Sequence, residues 1–203
     1  EQDDYTGLAS FIDYMEHAGD EDFACRFQEY FNVWEYLKIA AIDVLTGNWD
    51  GYIWNVNNYY LYDNPLTGRF EYLPYDLDNT WGVTWPGIDW AGRNVYEYSH
   101  DDHDRILYDR LMETPVYRDV FSYYLREMGQ HYVMNPDFSS YLETVQGMIG
   151  SSAMADTYRP LDFGYSEPDF WNALHDPLGG HVQFGLIEFA ETRVANNSGQ
   201  VED

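Results

Sequence analysis

Hydrophobic positions in the first part of the chain recur with the period of an α-helix. Residues 6–18 place apolar side chains at i, i+3, i+4 and i+7, which predicts an amphipathic helix. The same period predicts a second helix over 21–30 and a third over 33–45. The third has the clearest end signals, because residues 32–35 match a capping box and Gly47 follows the last turn.

After the third helix the period changes from 3.6 to 2. Two aromatic-rich runs, 58–62 and 69–74, are separated by turn-forming residues and predict a β-hairpin. Further helices are predicted over 104–113, 115–129, 137–155, 168–174 and 182–196. The pattern therefore predicts a single α+β domain over residues 1–203, mainly α with one short β-hairpin, ending in a frayed tail over 195–203.

The composition is strongly acidic and also rich in aromatic residues. The 36 Asp and Glu residues outnumber the 10 Lys and Arg residues, and the formal net charge is -26. Such a charge argues against nucleic acid and anionic membranes as partners. Aromatic residues make up 19% of the chain, which indicates a folded protein. A saline setting or bound divalent cations would offset the self-repulsion of this charge.

The few basic and thiol groups are informative as well. Lys38 is the only lysine, and the other nine basic residues are arginines. Cys25 is the only cysteine, so the chain forms no internal disulfide, and its helical position predicts a buried, inert thiol. No apolar run is long enough to span a bilayer, which predicts no membrane insertion. The chain begins at Glu1 without an initiator Met, as a processed or partial chain would.

Acidic and amide side chains flank the predicted hairpin on both sides. Asp50 and several asparagines precede the first strand, while Asp76 and Asp78 follow the second. An antiparallel hairpin brings the start of its first strand beside the end of its second, so these side chains are expected to converge. Carboxylate and amide oxygens in one place predict a site for Mg²⁺, Mn²⁺ or Ca²⁺.

The order of these parts matches a protein-kinase catalytic core. In that core an Asp positions the attacking hydroxyl, an Asn holds metal, and an Asp after a hairpin binds the metal on the phosphates. Asp50 and Asn55 show the corresponding D-x-x-x-x-N spacing. The spacing alone is a weak signal, and the ordered combination is more specific.

Three segments carry a family resemblance: 47–51 (G-N-W-D-G), 58–62 (N-Y-Y-L-Y) and 72–82 (Y-L-P-Y-D-L-D-N-T-W-G). They resemble the spore-coat protein H (CotH) kinase family, whose pattern is N-x-D, then N-x-Y-L-Y, then G-x-[FW]-x-[FLM]-[IL]-P-[WY]-D-[LT]-D-x-[TS]-[FW]-G. Segments 107–121 and 184–194 also resemble later helices of that family. The resemblance covers about residues 11–194 and implies an atypical protein-kinase-like C-terminal lobe.

The resemblance also implies roles for individual residues. Asp50 would be the catalytic aspartate, and Asp76 and Asp78 would supply the metal ligand, with the primary one undecided. The family position before the strand favours Asn58 as the amide ligand, whereas kinase spacing favours Asn55. The implied reaction is transfer of the ATP γ-phosphoryl to a Ser or Thr hydroxyl of a protein, with Mg²⁺ or Mn²⁺. Members are secreted or surface-associated, which implies an extracellular location and association with other surface proteins.

The sequence departs from a complete kinase in one respect. Lys38 lies in the helix before Asp50, and no Gly-rich loop precedes that segment, so an N-terminal lobe is missing from this sequence. We therefore expect the isolated chain to be inactive and to require more chain for ATP binding.

Other interpretations use different features. A non-catalytic adhesion or structural module with a Ca²⁺ or Mg²⁺ site is the main alternative. A third is carbohydrate binding by exposed tryptophans, although the tryptophans near the loops are expected mostly in the core. The polar run 100–104 contains His100 and His103 at metal-ligand spacing, but an acidic first helical turn, with Asp102 or Asp104 near the cap, is favoured.

Overall fold

The computed structural model describes residues 4–201 and is mainly helical with one two-stranded antiparallel hairpin, which confirms the predicted fold class. The helices are α1 Thr6–His17, α2 Asp20–Arg26, α3 Val33–Thr46, α4 Tyr52–Asn55, α5 Ile106–Glu113, α6 Pro115–Met128, α7 Phe138–Ala155, α8 Arg159–Asp162, α9 Glu167–Asn172 and α10 Leu186–Gln200. The strands are β1 Tyr59–Asn64 and β2 Arg69–Pro74. A 3₁₀ turn, Phe27–Glu29, follows α2, and a π turn, Gly129–Val133, follows α6.

Helix α3 is the central element of the core. Its residues Leu37, Ala40, Ala41 and Val44 are fully buried, as the helical period predicts. The helix packs against α6, α10 and β2. The side of α3 and its C-terminal end therefore provide a rigid base for the loop that follows it.

The hairpin is tied to the start of α3 by backbone and side-chain contacts. The backbone N–H of Asn32 donates to the carbonyl of Phe70 at 2.9 Å. Its side-chain amide donates to Glu71 at 2.6 Å, and it makes no cap hydrogen bond at α3. The capping-box prediction was therefore wrong, because a residue 39 positions away takes the Asn32 amide.

Four arginines hold irregular backbone segments through their carbonyl oxygens. Arg193 on α10 is fully buried and donates to Val44 at 2.9 Å and to Arg93 at 2.5 Å. Arg93, Arg105 and Arg110 donate in the same way to loop or helix-end carbonyls. A planar guanidinium with five donors suits this task better than a lysine ammonium.

Several boundaries differ from the predicted ones. The single-turn helices α4 and α8 lie where the sequence predicts loops. Helix α10 continues to Gln200 and buries Asn197, so residues 195–200, predicted as a frayed tail, are helical. The last two residues of that predicted tail, 202 and 203, lie outside the described residues.

Of two local predictions, the one for Cys25 was wrong and the one for the start of α5 was correct. Cys25 is exposed, because α2 is short and buries only the face that carries Phe23. Helix α5 begins at Ile106, and Asp109 accepts from the backbone N–H of Arg105 at 2.6 Å. The N-cap residue of α5 is Arg105, and Asp104 directly precedes it, so Asp104 lies near the cap as the sequence predicts.

The described residues fall into two regions of different packing. We call residues 4–133 together with α10 the packed body, and residues 134–184 the outer segment. Among the residues whose burial is described in the outer segment, Gly150 and Leu174 are buried and the rest are partly or fully exposed. Within residues 4–201, no helix combines the length and apolar character needed to cross a membrane.

Candidate functional site

The loop that follows α3 begins with a turn that only glycine adopts easily. Gly47 has φ +72°, and a Cβ atom there would lie 2.6 Å from Cζ of Phe189. The backbone of Trp81 also reaches this turn, donating to the carbonyl of Thr46 at 2.6 Å. The turn thus directs residues 48–51 along the end of α3 and brings the second loop beside the first.

Asp50 is the hydrogen-bonding centre of this loop. Its Oδ1 accepts from the side-chain amides of Asn55 at 2.6 Å and Asn57 at 3.4 Å. Its Oδ2 accepts from the amides of Asn58 and Asn79, both at 3.1 Å. Four amide donors therefore fix the orientation of one half-buried carboxylate.

The loop after β2 supplies a second carboxylate to the same place. The Asn79 amide donates to Asp78 at 3.1 Å as well as to Asp50, so it connects the two acidic side chains. Thr80 holds the turn by donating from its hydroxyl to the carbonyl of Leu77 at 2.9 Å. The Asp50 and Asp78 carboxylates thus border one common, solvent-open space.

Backbone strain is concentrated around this cluster. Among the described non-glycine residues, positive φ angles occur at Val56, Asn58, Asp76 and Trp81, all between +52° and +55°. Each residue held in the left-handed region costs on the order of 1 kcal/mol. All four belong to the two loops that flank the hairpin, and strain of this kind is frequent at functional sites.

The structure brings together most, though not all, of the predicted site residues. Asp50, Asn55 and Asn58 are in direct hydrogen-bond contact, and Asp78 joins them through Asn79. Asp76 is exposed at the strained position beside Tyr75. Within residues 4–201 no three Asp, Glu, His or Cys side chains are grouped closely enough to hold a metal ion. A site with three carboxylate ligands is therefore not formed in this arrangement.

The donor set nevertheless suits a hard divalent cation. Asp50 and Asp78 offer carboxylate oxygens, and rotation of the Asn58 and Asn79 amides by half a turn would turn their oxygens toward the same space. Two carboxylates with amide oxygens and water match the preference of Mg²⁺, which usually keeps several waters. The residues present therefore fit Mg²⁺ or Mn²⁺ with few protein ligands.

Sequence reasoning missed two residues that organise the site. Asn79 was part of the quoted motif but was assigned no role, although its place directly after Asp78 was a usable signal. Asn48 donates to the buried carboxylate of Asp43 at 2.9 Å and accepts from the backbone N–H of Asp50 at 3.2 Å. Burial raises the pKa of Asp43 to about 7, and the Asn48 hydrogen bond opposes that rise.

The tryptophans near the loops serve mainly to support them. Trp49 and Trp90 are buried, Trp54 and Trp81 are partly buried, and Trp85 is exposed. The indole N–H of Trp49 donates to the carbonyl of Val83 at 2.9 Å, which ties the first loop to the second. Most of these tryptophans therefore lie in the core or against it, as the sequence predicts.

The His100–His103 pair forms no metal centre with acidic neighbours in the described part of the chain. The two imidazole rings lie 5.0 Å apart, and His100 also stacks on Trp54 at 4.7 Å. Its Nδ1 accepts from the backbone N–H of Asp102 at 3.1 Å. The two histidines are thus explained by loop packing.

The chain is similar in sequence to several known proteins. The chain is 37% identical over 82 residues to inner spore coat protein H of Bacillus subtilis, a stretch that covers 40% of this chain and 22% of that protein. It is 26% identical over 125 residues to invasin CotH7 of Rhizopus delemar, covering 61% of this chain and 21% of the relative. Invasin CotH3 of the same organism is 22% identical over 197 residues, covering 84% of this chain and 31% of the relative.

The chain thus spans less than a third of the length of these relatives. The family model described as CotH kinase protein matches residues 1–176, which include both loops, the hairpin and all the residues that contact Asp50. The chain belongs to the CotH kinase family.

Proposed function

We propose that this chain is the phosphoryl-transfer lobe of an atypical protein kinase that uses ATP with Mg²⁺ or Mn²⁺. The observation that carries the proposal is the Asp50 carboxylate, which is held by four amides and connected to Asp78 by Asn79. A pre-oriented carboxylate beside a cation-binding carboxylate is the pair that phosphoryl transfer requires. Family membership supports the same reaction class.

Asp50 has the geometry of the residue that receives the acceptor hydroxyl. In the proposed step an Asp50 oxygen takes the Ser or Thr proton while the hydroxyl oxygen bonds to the γ-phosphorus, and the bond to the β-phosphate oxygen breaks to release ADP. The Asn55 and Asn57 amides hold Oδ1 in place, which limits the rotation of the carboxylate. A bound metal would neutralise the negative charge that develops on the transferred group.

Asp78 and Asn58 are the proposed metal ligands, and Asn79 positions both carboxylates. Asp78 is exposed and faces the same space as Asp50, whereas Asp76 contributes no contact to the cluster in this arrangement. Asp78 is therefore our choice as the primary ligand. Asn55 and Asn58 both bond to Asp50, and Asn58 ranks ahead because it is buried and bonds Oδ2, the oxygen that also accepts from Asn79.

The test is phosphoryl transfer measured by release of ADP and by intact mass of the acceptor. We expect activity with Mg²⁺ or Mn²⁺ from a longer chain that contains these residues and an ATP-covering lobe, and little from residues 1–203 alone. Asp50→Asn should lower kcat by at least about 100-fold without changing the melting temperature appreciably. Asp119→Asn, an exposed change of equal charge on α6, is the matched control and should leave kcat unchanged.

Asp78→Asn separates the metal role from the proton role. We expect this change to weaken Mn²⁺ binding, measured by paramagnetic broadening, more than Asp50→Asn does, because Asp78 is the proposed primary ligand. Unchanged kcat in both variants, or equal Mn²⁺ affinity in Asp78→Asn and the parent, would contradict the assignment.

A second candidate function is a non-catalytic cell-surface module with a structural Ca²⁺ or Mg²⁺. The observation favouring it is that relatives are called invasins and an inner spore coat protein, names that describe surface or assembly roles. In that case Asp50→Asn would leave surface binding intact, and neither the parent nor a longer chain would consume ATP.

A further inference from the structure

A buried carboxylate–amide pair connects helix α3 to the backbone of Asp50. Asp43 lies in the last turn of α3 and is 3% exposed, and Asn48 in the following loop is 2% exposed. The Asn48 amide donates to Oδ1 of Asp43 at 2.9 Å, and its Oδ1 accepts from the N–H of Asp50 at 3.2 Å. The two bonds form a continuous path from the most buried helix to the loop aspartate.

The chemistry of the pair fixes the orientation of the Asn48 amide. The backbone N–H of Asp50 can only donate a hydrogen bond, so the carbonyl oxygen of Asn48 must face it. The NH₂ group of Asn48 must then face the other way, toward Oδ1 of Asp43. An apolar residue at position 43 would avoid the cost of burying a carboxylate, so the helix itself gains nothing from Asp43.

The backbone of the loop at Gly51 packs directly against the side chains of Asp43 and Asn48. A Cβ atom added at Gly51 would lie 3.0 Å from Nδ2 of Asn48 and 3.5 Å from Oδ2 of Asp43. Gly51 is not in the left-handed region, so the close approach, not its φ angle, is what a larger residue would disturb. The backbone on the C-terminal side of Asp50 is therefore in contact with the same two side chains that hold its N–H.

We propose that Asp43 and Asn48 are positioning residues for Asp50, setting the backbone from which its carboxylate projects into the reacting space. This inference rests on the proposed function, because the benefit of a fixed Asp50 is realised in phosphoryl transfer. The four amides described above hold the Asp50 carboxylate from outside, whereas Asp43 and Asn48 hold its main chain from the core. Both restraints are needed for a group that must be placed within a fraction of an ångström.

The experiment exchanges the two side chains and compares the single changes. Asn48→Asp retains an acceptor for the Asp50 N–H but places two carboxylates at the 2.9 Å contact. Asp43→Asn leaves two amides in contact. Each can present either its oxygen or its NH₂ group, so neither fixes the orientation of the other. The double variant Asp43→Asn with Asn48→Asp restores one carboxylate and one amide with the total charge of the parent. Ser122→Ala is the control, since Ser122 on α6 is 5% exposed and its hydroxyl bonds Tyr96 and the carbonyl of Arg118, which are not part of the candidate site.

Two readouts are measured: kcat and KM for ATP in a longer chain that contains these residues, and the ¹H–¹⁵N chemical shift of the Asp50 amide in the same chain whether or not it is active. We expect Asn48→Asp to lower kcat at least about tenfold with little change in KM, and the double variant to recover to within about threefold of the parent. The Asp50 amide shift should move in both single variants and return in the double one. Ser122→Ala should lower the melting temperature without changing kcat or the Asp50 shift.

The outcomes separate this inference from the proposed function. If the Asp50 shift returns in the double variant while no chain transfers phosphate, the positioning role stands and the kinase proposal fails. If the parent transfers phosphate but the single variants retain its kcat, or if the double variant stays as impaired as Asn48→Asp, the positioning role is overturned.

Discussion

The packed body and the outer segment differ in how many of their apolar side chains are buried. In the packed body, α3 is surrounded by aromatic and aliphatic side chains, and the ring of Phe31 lies 5.5 Å from those of both Phe27 and Tyr36. In the outer segment, the 18-residue helix α7 buries Gly150 and exposes Tyr141, Met148 and Ile149. Local opening costs least where few apolar contacts must be broken.

The difference shows why the candidate site belongs to the packed body. Asp50, Asn58 and Asp78 lie on loops that connect to α3 and the hairpin, so their positions are fixed by the most buried elements. The outer segment contacts the chain after Asp78, where the ring of Trp81 lies 6.4 Å from that of Phe138 and the backbone N–H of Thr84 donates to His181 at 2.7 Å. These contacts involve none of the three site residues, so changes elsewhere in the outer segment should leave the site intact.

The largest effect expected is from Arg193→Lys in the packed body. Lysine cannot reach Val44, Ala91 and Arg93 together, so buried carbonyl oxygens lose their donor. We expect the free energy of unfolding to fall by about 3 kcal/mol, measured by urea denaturation. Arg69→Lys, which loses one 3.4 Å bond at an incompletely buried position, should cost less than about 0.5 kcal/mol. Equal losses in both variants would show that the carbonyl contacts of Arg193 contribute little.

Next in size is a pH-dependent effect at Asp43. Its pKa is raised from 3.8 to about 7 in the folded protein, so the folded state keeps a proton that the unfolded state has lost between these values. Stability contributed by this group is therefore present at low pH and declines as pH rises toward 7. Tyr36, Tyr72 and Tyr98 lie near it and are neutral in that range, because burial raises the pKa of each.

Asp43→Asn removes this titration. Relative to the parent, we expect the variant to gain on the order of 2 kcal/mol between pH 5 and pH 8, measured as the change in their stability difference. Using the difference cancels the contribution of the other carboxylates. A stability difference that is constant over this range would rule out a raised pKa at Asp43.

Substitutions at two glycines of α7 test the outer segment, and their expected effects on stability are smaller. A Cβ atom at Gly150 would lie 2.4 Å from Cη2 of Trp171, whereas one at Gly147 meets nothing within 4 Å. Gly150→Ala should therefore destabilise the contact between α7 and α9 by about 1–2 kcal/mol, and Gly147→Ala should stabilise α7 by about 0.5–1 kcal/mol. Amide hydrogen exchange in α7 is the measurement, and protection in α3 should stay unchanged in both variants.

The smallest effect is expected at Cys25. Because its side chain is exposed, a maleimide reagent should modify it in the native protein without a shift in melting temperature. Labelling as slow as global unfolding would instead show that the thiol is buried, as the sequence predicts.

Much of the fold was predictable because its elements have strong local signals. The helical period identified α1, α3 and α6, and the turn residues between two aromatic runs identified the hairpin. The capping of α3 was not predictable, because Glu71 takes the Asn32 amide through a long-range contact. Helix α4 was missed because four residues give no measurable period.

The site was predictable to a similar extent. Asp50 and the asparagines before the hairpin follow from the order of motifs, and the structure places Asn55 and Asn58 on Asp50. The bridging amide of Asn79 and the Asp43–Asn48 pair depend on where the chain folds back in space. Metal identity, catalysis and the ATP site stay predictions.

The arginine clamps have a consequence for how charged molecules approach the protein. With Arg193 and Arg105 buried and Arg93 and Arg110 turned toward carbonyls, much of the positive charge is withdrawn from the surface, and the 36 acidic residues dominate the external field. Such a field repels a free polyphosphate and concentrates divalent cations near the loops. A nucleotide would therefore approach this lobe most readily as its metal complex, with its own charge already partly neutralised.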